Sequence, residues 1–184
     1  MWLDARVLPD SRLYAIARED DITFGVLSSR IHEVWSLANA SMHGVGNDPT
    51  YNAKSCFETF HFPAGLTPNL APADYANPAA GAIAEAAQRL NSLRDTWLNP
   101  VEWTERIAEV VAGYPDRIVA KAGFEAELKK RTLTNLYNAR PAWLTHAHQT
   151  LDSAVAQAYG WNDYTPDMAD EEILRRLLAL NLAR

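Results

Sequence analysis

The chain has 184 residues, 48% of them hydrophobic and 22% charged, with one cysteine, a net charge of -6 and a pI near 5.3. Such a composition sustains a folded core for one medium domain or two small ones, and it excludes a disordered segment. No apolar run reaches the roughly 20 residues of a membrane helix, and no signal peptide is visible. Cys56 cannot form an internal disulfide, so a reducing cytoplasm is the expected compartment. The acidic balance argues against a free-standing nucleic-acid binder. Residues 1–62 hold five Lys/Arg and eight Asp/Glu, residues 63–184 twelve and fifteen, so neither part is basic.

Trp2, Leu3, Val7 and Leu8 predict a first strand, Pro9-Asp10-Ser11 a turn, and Leu13–Ile16 a second strand. A strand lying so close to Met1 leads us to expect more chain upstream. Asp20 or Asp21 is placed to cap a helix whose apolar face is Phe24, Leu27, Ile31, Val34, Trp35 and Ala38. Residues 40–56 are rich in turn formers and read as irregular. Phe57–Phe62 reads as a short strand or extended segment, and Pro63, Gly65, Pro68 and Pro72 mark a linker over 63–75. Beyond it the pattern is helical. Ile83, Ala87, Leu90, Arg94 and Trp97 define a helix over about 78–98. Residues 100–121 are mixed, with a turn at Gly113-Tyr114-Pro115-Asp116. Phe124, Leu128, Leu133, Leu136 and Tyr137 predict a long helix over about 123–138. Trp143, Ala147, Leu151, Ala154, Val155 and Ala158 predict another, starting at Pro141 and ending at Gly160. A last helix begins near Asp167 or Asp170 and buries Ile173, Leu174, Leu177, Leu178 and Leu180. The expected fold is α+β and predominantly α: a strand-plus-helix segment over 1–62, a linker over 63–75 and a helical bundle over 76–184.

The chemistry-bearing motifs are few. Asn47-Asp48-Pro49-Thr50-Tyr51 is close to the Asn/Asp-Pro-Pro-Tyr/Phe loop with which amino-methyltransferases hold a flipped base. Thr50 replaces the second proline, however, and no glycine-rich cofactor turn precedes it, so ordinary turn chemistry accounts for it better. His146 and His148 diverge on a helix, and His32 reads as a hydrogen-bonded structural residue, so no metal site is expected. Ser28, Ser29 and His32 lack the setting of a hydrolytic triad. No P-loop, dinucleotide fingerprint or paired CxxC is present, and no catalytic residue is assigned. Lys129-Lys130-Arg131 is a short basic run that suits either a solvated face or phosphate contact.

Two collinear groups of residues add to this. Phe24–Trp35, Gly44–Pro49 and Phe57–Phe60 resemble the end of a target recognition domain of the MmeI-like, type IIG group of restriction-modification enzymes and related adenine-N6 DNA methyltransferases. Trp97–Pro100, Gly113–Arg117, Leu128–Asn138, Arg140–Leu144 and Ala158–Trp161 resemble the C-terminal helical domain of the same family. The resemblance implies a target-recognition and supporting portion of a methyltransferase. Its partners would be double-stranded DNA and an upstream methyltransferase domain of the same parent chain. S-adenosylmethionine would be the parent's cofactor, with none bound in this portion, which on its own would be inactive. Carried over residue by residue, the DNA-contact candidates are Asn39, Ser41, His43, Asn47, Thr50, Tyr51 and Lys54. Lys129, Lys130 and Arg131 are secondary phosphate candidates. Asn can pair bidentately with adenine, Lys can reach guanine or phosphate, and Thr can touch a thymine methyl. The chain departs from the family in lacking arginine near Asn39 and Thr50 and proline at His61, Val101 and Ala112. This points to a different recognition sequence or to loss of DNA binding. The alternative is a helical scaffold or docking module that does not itself bind DNA.

Overall fold

Asp20 and Ser29 decide where the first two helices begin. In the computed structural model, which describes residues 4, 7, 9, 10, 13–45 and 48–183, α1 spans Asp21–Ser28 and α2 spans Arg30–Asn39. Asp20 caps α1 by accepting the Thr23 N–H at 2.7 Å. The single helix expected here is broken, because Ser29 turns to an extended conformation and becomes the N-cap of α2. The carboxylate of Asp152, buried in a distant part of the chain, accepts the Arg30 N–H at 2.7 Å. It satisfies an otherwise orphaned helix-end donor and sits at the favourable end of the α2 dipole. The break re-phases the stripe. Val26, Ile31, Val34 and Trp35 are buried, whereas Phe24 and Leu27 are half-buried and Ala38 is exposed.

The chain then forms a short hairpin, β1 (Ser41–His43) and β2 (Asp48–Thr50), and a one-turn π-helix at Ala53–Phe57. Further helices are α3 (Ala80–Leu98), α4 (Glu125–Leu128), α5 (Leu133–Ala139), α6 (Ala142–Ala158) and α7 (Asp170–Leu182), with a second hairpin, β3 (Thr104–Ile107) and β4 (Arg117–Ala120), after α3. The fold is therefore α+β and predominantly helical. The long helices α3, α6 and α7 lie close to their expected positions, and Gly160 follows α6 in the left-handed conformation at φ 74°, as a helix terminator should. No described helix is long and apolar enough to cross a membrane.

The first predicted strand falls mostly on residues outside those described. Other expectations are corrected. Leu13–Ile16 forms no strand; Leu13, Tyr14 and Ile16 are exposed. Phe57–Phe62, expected as a strand or extended segment, forms no strand: Phe57 ends the π-turn and Glu58 is still helical, and the stretch is held by Phe60 and Phe62, both buried and edge to face at 5.0 Å. The helix expected over 123–138 is two short helices separated by Lys129–Thr132, because the Thr132 hydroxyl accepts the Asn135 N–H at 3.1 Å and starts α5 afresh. Of its predicted inward residues only Leu136 is buried, and Leu178 of α7 is also exposed.

Two compact units interleave along the chain: unit 1 is residues 1–15 and 89–147, unit 2 residues 16–88 and 148–184. Residues 63–75 lie within unit 2, where Phe62, Pro63 and Leu66 are buried. Arg18 fastens this stretch to the start of α1. It pairs with Asp20 at 2.9 Å and donates to the carbonyls of Pro68 and Leu70 and to the Tyr75 hydroxyl. Gly25 lets α1 approach its neighbours in unit 2. A Cβ there would stand 2.7 Å from Ile83 Cγ2, 3.1 Å from Ala87 Cβ and 3.2 Å from Leu151 Cδ1. Gly25→Ala is therefore expected to cost about 1 kcal/mol net, overpacking outweighing alanine's better helix propensity. A denaturation midpoint equal to or above wild type would contradict this packing.

Candidate nucleic-acid interface

The β1–β2 hairpin grows directly out of the C-terminus of α2. Its register pairs Ser41 with Thr50, Met42 with Pro49 and His43 with Asp48. Directly opposed residues of an antiparallel pair share a face. Ser41, His43, Asp48 and Thr50 therefore line one face, and Met42 and Pro49 the other. All six are exposed. Gly44 opens the turn with φ 78°, a left-handed conformation that glycine adopts without strain.

Both feet of the hairpin are pinned. At the first, Asn39 Nδ2 donates to the Trp35 carbonyl at 2.8 Å, and the Ser55 hydroxyl donates to the Asn39 carbonyl at 2.8 Å. At the second, the Tyr51 hydroxyl lies 3.1 Å from His32 Nε2, which is also 3.2 Å from the Ser36 hydroxyl. Asn52 caps the π-turn by accepting the Lys54 N–H at 2.9 Å. Cys56, fully buried, places its sulfur 3.6 Å from the Ser36 carbonyl.

This setting shifts two pKa values. Burial pushes the Tyr51 hydroxyl up to about 12. Burial also pushes His32 down to about 4, and among the described residues Nδ1 has no hydrogen-bond partner that would offset it. The ring lies edge to face against Phe60 at 4.5 Å. His32 is thus a neutral structural brace, in keeping with its reading from sequence.

Of the DNA-contact candidates, Ser41, His43, Thr50 and Lys54 are exposed and lie on or beside the hairpin. Asn39 and Tyr51 are half-buried and committed to holding its feet. Asn47 lies outside the described residues. Sequence reasoning missed Asn52 and Ser55 as braces; an Asn two residues before Lys54, ahead of a helical turn, was the available capping signal. Residues 39–54 contain one acid, Asp48, and one base, Lys54. The hairpin therefore offers neutral hydrogen-bonding groups rather than a strong field.

The secondary candidates lie in unit 1. Lys129 and Lys130 are exposed. Arg131 is half-buried, its guanidinium 4.5 Å from the Trp97 ring centre and 4.6 Å from that of Trp103. A cation stacked between two indoles is held by the ring faces and is not available as a free phosphate ligand. Trp103 is stacked in turn on Phe124 at 5.7 Å. A shallow cavity of about 370 Å³ in unit 1 is lined by Asp95, Glu102, Glu105 and Arg106 among others, and its carboxylates make it unsuited to phosphate. Among the described residues no group of three His, Cys, Asp or Glu is arranged to hold a metal ion.

No protein-family model matches the sequence, and no curated protein matches it. Among solved structures, the chain is similar to the Type IIL restriction-modification enzyme MmeI in complex with DNA, at 21% identity and a TM-score of 0.51. The likeness covers 90% of this chain and 16% of that one, so the chain has the fold of a small part of that enzyme.

Proposed function

We propose that this chain is the DNA-reading and supporting portion of a site-specific adenine-N6 DNA methyltransferase of the restriction-modification type, without its catalytic core. The observation that carries the reading is the hairpin. It presents Ser41, His43 and Thr50 on one exposed face, beside Lys54, from feet fixed by Asn39 and Tyr51. A two-stranded ribbon fits the major groove of B-DNA, and hydroxyl and imidazole groups can read base edges there. The fold likeness to a segment of an enzyme solved with DNA supports the same assignment. Asn39 and Tyr51 act as braces in this scheme, and Lys54 reaches a phosphate or a guanine. The S-adenosylmethionine site and the methyl transfer belong to an upstream domain of the parent chain.

The test is selection of preferred duplexes from a randomised pool by the wild-type chain and by a Ser41→Ala, His43→Ala, Thr50→Ala variant. The variant is expected to lose about 1 kcal/mol of discrimination for each contact removed. An unchanged preference in the variant would remove the hairpin from its assigned role. The acidity of unit 2 favours a second reading, a scaffold that does not bind DNA. A wild-type chain that enriches no sequence would support it.

A further inference from the structure

We propose that the main backbone-phosphate contacts are made by unit 1, at the Lys129–Lys130 turn, and that the unit carrying the reading hairpin adds at most Lys54; this rests on the DNA-reading assignment above. The two units differ in charge in a way that no single cut along the linear chain reveals. Unit 1 holds eleven Lys/Arg and nine Asp/Glu, a net of +2, and unit 2 holds six and fourteen, a net of -8. Nucleic-acid affinity comes chiefly from cations that neutralise phosphates. In unit 2 those cations are already committed. Arg18 is held by Asp20, Arg30 by Asp170, Arg175 by Glu172, and Arg176 by Asp163 and Glu172. Among the described residues of unit 2, Lys54 is the one cation left uncommitted.

Unit 1 is different. Lys129 and Lys130 are exposed and make no side-chain hydrogen bond or ion pair among the described residues. Arg140, exposed and likewise uncommitted, follows on the far side of α5. The two lysines sit on a braced turn. Asn135 Nδ2 donates to the Lys130 carbonyl at 2.8 Å, Thr132 caps α5, and Arg131 is clamped between Trp97 and Trp103. Arg131 is thus the positioning residue and the lysines are the contacts. The nearest acids in sequence are Glu125, which accepts the Gly123 N–H at 3.0 Å, and Glu127. They leave the 125–131 segment with a net charge of +1.

The test compares binding of the whole chain and of a Lys129→Ala, Lys130→Ala variant to a mixed-sequence duplex across a salt series. Each phosphate contact contributes about 0.9 to the slope of log affinity against log salt. The variant is expected to lose about 1.8 of that slope while keeping the wild-type sequence preference. An unchanged slope would overturn the proposal, and if the hairpin variant still lost discrimination the reading function would stand without it. A lowered slope with a hairpin variant that keeps its preference would support the phosphate site and sink the hairpin. A wild-type chain that binds no duplex at low salt would overturn both.

Discussion

Lowering the pH from about 6.5 to 4 should destabilise unit 2 by about 3 kcal/mol through His32 alone. The folded protein holds this imidazole at about 4, against 6.5 in an unfolded chain, because it is buried. Above pH 6.5 both states carry it neutral, and it contributes no pH dependence. Between 6.5 and 4 the unfolded state takes up a proton that the folded state refuses, so stability falls as pH falls. Below about 4 both states are protonated and the loss levels off. The exposed carboxylates act in a lower window. Arg176 holds Asp163 at about 2 through hydrogen bonds, and Arg175 and Arg176 hold Glu172 at about 2, so what they contribute is lost only below about pH 4.5. Urea midpoints at half-unit pH steps would resolve the two phases. His32→Phe keeps a ring but cannot titrate. It should lower the baseline, through the lost bonds to Tyr51 and Ser36, and flatten the upper phase. An upper phase that persists in this variant would contradict the assignment.

Arg131→Ala should cost unit 1 about 2 kcal/mol. The side chain contributes a cation to two indole faces, and alanine removes its aliphatic stem as well. Few side chains of unit 1 are buried besides: Leu90, Leu136, Leu144 and Ala147 are those among its described residues. A unit with so thin an apolar centre leans on such a stack. Denaturation followed by tryptophan fluorescence reads the effect, because two of the six tryptophans, Trp97 and Trp103, are the ones the guanidinium faces. Arg131→Lys keeps the charge but loses the planar face, and should recover part of the loss. A cost below about 0.5 kcal/mol would mean that the stack is incidental, and would remove the brace assigned to the lysine turn.

How much of this was legible in the sequence depends on how local the causes are. Helices α3, α6 and α7 carry long apolar stripes with terminators such as Gly160, and periodicity alone locates them. The break at Ser29 does not announce itself. A serine inside a periodic run reads as helix, and what stabilises the break is Asp152, more than a hundred residues away. The β1–β2 hairpin is hidden for another reason. Its strands are three residues long and wholly exposed, so there is no buried face to impose alternation. The partition of charge was illegible because the units interleave. A cut at residue 62 mixes Lys129 and Lys130 with the acids of α7, and the folded chain shows that the boundaries fall instead near residues 88 and 147. The sequence did mark the residues around the hairpin, through their resemblance to a recognition domain. It could not distinguish the exposed Ser41, His43 and Thr50 from Asn39 and Tyr51, which turn to their own protein, because that distinction is made by His32, Ser55 and Trp35.

The central claim is that this chain contacts DNA, and the most direct measurement is binding of the intact chain to a mixed-sequence duplex, begun at low salt and followed upward. Binding is expected at low salt and should weaken steeply as salt rises, the mark of phosphate neutralisation. No binding at the lowest salt would contradict it and leave a helical scaffold as the description of the chain.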